Sequence, residues 1–80
     1  DNGSTIIKIR TPGTTGNGQI QFGDTADGNS GLILYEHTDD SMRFNTNNSE
    51  ALRIDSSGNV GIGTNSPAAK LHSLGSGTLG

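Results

Sequence analysis

The sequence predicts an all-β structure of short strands and Gly-, Asn-, Ser- and Thr-rich turns, completed by further copies of the same chain. Three observations carry that expectation. Apolar residues recur in pairs two apart, which puts both members of a pair on one face of a strand. The pairs begin eight to thirteen residues apart, with turn-forming stretches between them. Only 28% of the 80 residues are hydrophobic, against roughly 45–50% in ordinary globular domains. So small an apolar share leaves a lone chain either disordered or dependent on partners for a core.

The first pair is Ile7/Ile9, in "TIIKIR", with Lys8 between them. "TPGTTGNG" then supplies a turn, and Ile20/Phe22 follow around Gln21. "GDTADGNSG" is the next turn, before "GLILY" at 31–35. That stretch is apolar on both faces, with Leu32/Leu34 opposite Ile33/Tyr35, so it is expected to be covered on both sides. Its inward pair is taken as Leu32/Leu34. "HTDD" leads to Met42/Phe44 around Arg43, and "NTNN" to Leu52/Ile54 around Arg53. "SMRFN" and "ALRID" align at a spacing of ten residues, a weak internal repeat consistent with a stacked β structure. "SEALRI" contains helix formers and a capping Ser49 but is too short for a helix to stand alone. "DSSGN" precedes Val60/Ile62, and Leu71 stands alone in "AKLHS" after the turn "TNSP". The chain divides into an N-terminal strand and turn (1–17), β repeats (18–64), and a turn, last strand and Gly-rich end (65–80) whose "GSGTLG" reads as a cut end.

One chain of such strands is a ribbon with exposed edges. Three chains around a common axis point their apolar pairs inward and give each edge a neighbour, and cyclic symmetry closes the set. A narrow three-sided axis suits one apolar pair per strand better than a twofold does. The expected core of the homotrimer is Ile7, Ile9, Ile20, Phe22, Leu32, Leu34, Met42, Phe44, Leu52, Ile54, Val60 and Ile62. In "VGIG" the face opposite Val60 and Ile62 carries only Gly61 and Gly63. Their lack of side chains predicts a close backbone crossing, by a neighbouring chain at 60–64, before a turn at 65–67 set by Asn65 and Pro67. The alternative is a local bulge with positive φ.

"SEALRIDSSGNVGIGTNSPAAKLH" (49–72) resembles the segment shared by many phage tail-fibre and tail-spike proteins, upstream of endosialidase-type intramolecular chaperone domains. "GQIQFGDTADGNSGLILYEHTDDSMRF" (18–44) is similar to the β-rich stretch before it. The resemblance implies an elongated, intertwined homotrimeric shaft, a triple β-helix or β-prism, exposed on a virion as part of a tail fibre. It implies adjoining fibre domains as partners and no catalysis in these residues. Two rival roles are a receptor-binding module touching host surface glycans through the turns at 24–30 and 36–40, and a fragment of a sugar-cleaving depolymerase. A glycan site would present an exposed aromatic shelf near the turns; a depolymerase would present a cleft with two carboxylates about 5–10 Å apart.

Motifs that bear chemistry are few. "EHTDD" gathers Glu36, His37, Asp39 and Asp40, ligand types for a divalent cation, but reads as a solvated acidic turn. Asp24, Asp27 and Asn29 miss the alternate spacing of a calcium loop. His37 and His72 lack a His-x-His pairing for an axial metal, and no Ser, His and acid stand in a recognisable catalytic context. "GSGTLG" (75–80) has the letters of a dinucleotide motif without the βαβ unit, and "GNVGIG" runs that spacing backwards. Tyr35, Phe44 and Phe22 are expected to pack rather than to stack on sugars. No catalytic residue, metal or cofactor is therefore expected. The net charge of −3 does not favour nucleic acid. No apolar run is long enough for a membrane span, the N-terminus lacks a signal peptide's apolar core, and there is no cysteine for a disulfide framework.

Overall fold

The computed structural model describes residues 3–75. They form one six-stranded sheet in the order β1-β2-β3-β4-β5-β6. The strands are β1 (Asn17–Phe22), β2 (Gly31–Glu36), β3 (Ser41–Thr46), β4 (Ser49–Ile54), β5 (Val60–Ile62) and β6 (Leu71–Ser73), and no helix occurs among the described residues. Every strand pairs with its neighbour in sequence. The first four pairings are antiparallel and the last, β5 with β6, is parallel.

The connections follow from side chains that bond their own backbone. Asp24 Oδ1 accepts from the N–H groups of Ala26 and Asp27 and folds the β1–β2 loop. The loop is drawn tight enough that Gly23 lies directly against the backbone of Gly28. Asn47 and Asn48 form the two-residue β3–β4 turn, both with positive φ (49° and 61°), as the favoured hairpin turn of a twisted sheet requires. Asp55 Oδ1 accepts from Ser57 and Asn59, with Gly58 at φ 83°, between β4 and β5. "SEALRI" is β4, paired along β3 with a shift in register between Phe44 and Asn45.

The ladder divides the side chains into two faces. One face carries two unbroken cross-strand rows. Ile20, Ile33, Phe44, Leu52, Ile62 and Ser73 form one, and Gly18, Tyr35, Met42, Ile54, Val60 and Leu71 form the other. Phe22 extends this face beside Gly31. The opposite face is polar, with Gln19, Leu34, Arg43, Arg53, Gly61 and His72 in its central row. The inward pair expected in β2 is therefore corrected. Leu32 and Leu34 lie on the polar face, and Ile33 and Tyr35 share the apolar face with the neighbouring pairs. An apolar-on-both-faces strand does not reveal its own orientation; the hairpins on either side set it. Leu34 is flanked by Gln19 and Arg43, whose methylene stems can shield it, and is 7% exposed.

The expected N-terminal strand is also corrected. Residues 3–16 contain no strand, and Ile7 is 92% exposed. Among the described residues no strand pairs with residues 4–10, and an apolar pair alone does not hold a strand. Ile9 instead sits over the apolar face, its Cγ2 2.9 Å from where a Cβ on Gly18 would be.

The β5–β6 connection answers the question posed by Gly61 and Gly63. A parallel pair ordinarily needs a crossover of about a dozen residues. Here residues 63–70 suffice because each strand is only three residues long. Gly63 turns the chain at φ 75° and donates to Ala51 O at 3.0 Å. Thr64 and Pro67 then lie against Gly61, which is buried: a Cβ there would meet Thr64 O at 2.5 Å, Thr64 Cγ2 at 3.1 Å and Pro67 Cβ at 3.5 Å. A Cβ on Gly63 would meet Leu74 O at 3.0 Å. Within the chain, then, the backbone that lies against Gly61 is that of its own crossover, and Gly63 has the positive φ of a local turn.

Candidate functional site

The feature most in need of a partner is the apolar face. Two rows of side chains, about 7 Å apart along the strands, run across six strands spaced about 4.8 Å, so the band is roughly 24 Å long and perpendicular to the strands. Its ends are open: Phe22 is 57% exposed and Leu71 49%. Leu34, on the other face, is the only buried large hydrophobic among the described residues. A sheet with one apolar face has to bury it against another layer, and the described chain provides none beyond Ile9. An apolar hollow of about 240 Å³ lies beneath Ile9, lined also by Gly18, Ile20, Ile33, Tyr35, His37 and Met42, with no carboxylate in its wall.

The polar face is neutralised from within. Arg43 and Arg53 stand directly opposite each other, an arrangement that repels unless countered. Asp39 and Glu50 counter it. Arg43 Nη2 contacts Asp39 Oδ2 at 2.9 Å and Arg53 Nη2 contacts Glu50 Oε1 at 2.7 Å. Two longer contacts of 3.8 Å, Arg43 to Glu50 and Arg53 to Asp39, close the set. Ser41, 1% exposed, accepts from Arg43 Nε at 2.9 Å and donates to Asp39 Oδ1 at 2.7 Å. That Ser41 bond, with the two arginines, holds the Asp39 carboxyl below its ordinary value.

The carboxylates and histidines of the turns fall into separate local roles. Glu36 accepts from Asn17 Nδ2 at 3.2 Å and from the Thr38 N–H, which lowers its pKa. Asp40 accepts from Tyr35 Oη at 3.1 Å and raises the tyrosine pKa. The His37 ring meets Tyr35 edge-on at 4.9 Å. Asp24 is lowered by its loop N–H groups, and Asp27 by Asn48 Nδ2 and the Asn29 N–H. His72, on β6, accepts from the Ala68 N–H at Nδ1. No three His, Asp or Glu side chains are gathered as metal ligands among the described residues. Of the aromatics, Phe22, Tyr35 and Phe44 all lie on the apolar face. "GNVGIG" is the β4–β5 loop end and β5, and "GSGTLG" lies outside the described residues beyond Gly75. No helix of the described residues is long and apolar enough to cross a membrane.

Two members of the band, Ile33 and Tyr35, escaped the sequence pattern. The available signal was Gly18 and Gly31: they fall in phase with Ile20 and Ile33, the side chains that share one face once the β1–β2 register is fixed. No protein-family model matches the chain and no curated protein matches it, so what the chain has to offer a functional reading is the six-stranded sheet with its uncovered apolar band.

Proposed function

We propose that this chain is a shaft segment of a homotrimeric phage tail fibre, which spaces and supports host-recognition elements on the virion. The observation that carries the proposal is the shape of the apolar band: narrow along the strands, long across them, and almost without buried hydrophobic side chains elsewhere. Three such bands meeting face to face make an apolar column with the strands perpendicular to its axis. Sheets pack face to face at about 10 Å, a distance the side chains of three two-row bands can fill. The polar faces, with their paired arginines and carboxylates, then form the outside. The role is mechanical, with two further copies and adjoining fibre domains as its partners and no reaction of its own. Light scattering on the purified segment tests it. A mass of about three chains of 8.2 kDa is expected; a sharply melting monomer would remove the basis of the proposal.

A further inference from the structure

We propose that residues 5–10, "TIIKIR", are a donor strand that pairs with the outer edge of β1 in a neighbouring copy. The inference rests on the homotrimer proposed above and specifies how its chains exchange. β1 ends the sheet, and its six residues offer about three N–H and three C=O groups outward. Sheet edges are ordinarily protected by charges, proline or bulges. "NGQIQF" has none of these, and its register with β2 is unbroken. The other edge, β6, is only three residues long.

The donor has the matching pattern. Ile7 and Ile9 alternate with Lys8 and Arg10, as Ile20 and Phe22 alternate with Gln19 and Gln21. Six extended residues reach about 20 Å, the length of β1. Among the described residues no strand pairs with residues 4–10, and Ile6 and Ile7 are 72% and 92% exposed. Charge favours the match as well: residues 5–10 carry two cations and no acid, while residues 17–36 carry Asp24, Asp27 and Glu36 and no cation. Within one chain Ile9 lies above Gly18, on the face rather than beside the edge, so the segment leaves its own β1 edge open to another copy. In phase, Ile7 and Ile9 lengthen the apolar rows and Lys8 stands opposite Gln19 on the polar face.

The chain has no cysteine, so introduced thiols report the pairing without background. Lys8→Cys chains are mixed with Gln19→Cys chains, refolded together and oxidised. Directly opposed Cβ atoms lie about 4.5–5.5 Å apart across a ladder, close to the spacing a disulfide accepts. A covalent pair whose peptides join positions 8 and 19 is expected. Lys8→Cys with Ile20→Cys, on the opposite face, is expected to give none. In the parent trimer, amide exchange of residues 5–10 should slow by tenfold or more relative to the dissociated chain. A trimer by light scattering with no 8–19 link and no such slowing overturns the exchange and leaves the shaft standing; a monomer overturns both.

Discussion

Gly61→Ala measures what lies against β5. A real Cβ essentially never approaches another heavy atom within 3.0 Å, and here it would meet Thr64 O at 2.5 Å. The crossover would have to yield by roughly 0.5–0.9 Å, the distance from that contact to a tolerable one. It cannot yield freely. Its ends are tied by Gly63 N–H to Ala51 O, Val60 N–H to Lys70 O and Leu74 N–H to Ile62 O, at 2.8–3.0 Å. Overpacking of this kind costs about 1–3 kcal/mol, and replacing a strand glycine with alanine returns about 0.5–1 kcal/mol. The net is roughly 1 kcal/mol per chain, which for a domain of this size lowers Tm by about 4–8 °C. The assay is thermal unfolding by circular dichroism at equal chain concentrations, with Gly28→Ala as control. A Cβ at Gly28 meets nothing within 4 Å, so that variant should melt with the parent. Hydrogen exchange at Val60 and Leu74 localises the effect and should accelerate about fivefold, the equivalent of 1 kcal/mol. If Gly61→Ala melts within a degree of Gly28→Ala and exchange at those amides is unchanged, the crossover does not constrain β5 and the reasoning is refuted.

Gly63→Ala should cost about 1–2 kcal/mol because φ 75° is unfavourable for a side chain, with Gly63→Asn losing less in the same melts. Phe22→Ser removes a side chain that is 57% exposed in one chain, so its effect belongs to assembly: light scattering against concentration should show weaker trimer formation, whereas an unchanged dissociation profile would take Phe22 out of the interface. Arg53→Ala should cost about 1–2 kcal/mol, since the Arg53 side chain is only 15% exposed and the change strips Glu50 of its 2.7 Å partner; a change within 0.5 kcal/mol would class the pair with ordinary surface ion pairs. Acid should destabilise the fold. Asp24, Asp27, Glu36 and Asp39 all have folded pKa values below their ordinary 3.8 or 4.5, so their contribution is fully present above those values and is lost as pH falls through the lower folded ones. Tm measured from pH 6 to pH 2 should fall mainly below about pH 4, and a flat profile would contradict these assignments.

The period-two pattern and the turn residues made the strands legible because each needs only local chemistry. Six apolar signals from Ile20 to Leu71 became strands, with Asn47 and Asn48 at the tightest turn. What stayed hidden was whatever depends on a partner. "GLILY" satisfies the strand pattern on both faces, so its orientation is decided by pairing with β1 and β3. "TIIKIR" has the alternation of a strand but no ladder among the described residues. Arg43 and Arg53, placed between apolar pairs by the sequence, form a half-buried charge network because register sets them opposite each other, with Asp39 and Glu50 to counter them. At Gly61 a Cβ would meet Thr64 O at 2.5 Å, and the cause within the chain is a parallel return only eight residues long, which no local residue pattern announces.

The meander has a kinetic consequence. Every strand pairs with the one before it, so the sheet is assembled from short loop closures and can form quickly, strand by strand, as the chain lengthens. The apolar band is complete only when the β4–β5 hairpin and the parallel β5–β6 return have closed, and from that moment it is an adhesive surface with little but Ile9 over it. Encounter between chains, rather than formation of the sheet, should then limit folding. Refolding would speed up with concentration while the chains are dilute and give way to misassembly once several half-finished bands meet out of register. The proposed trimer would gain by having its copies made close together, where two correct partners arrive before a wrong one does.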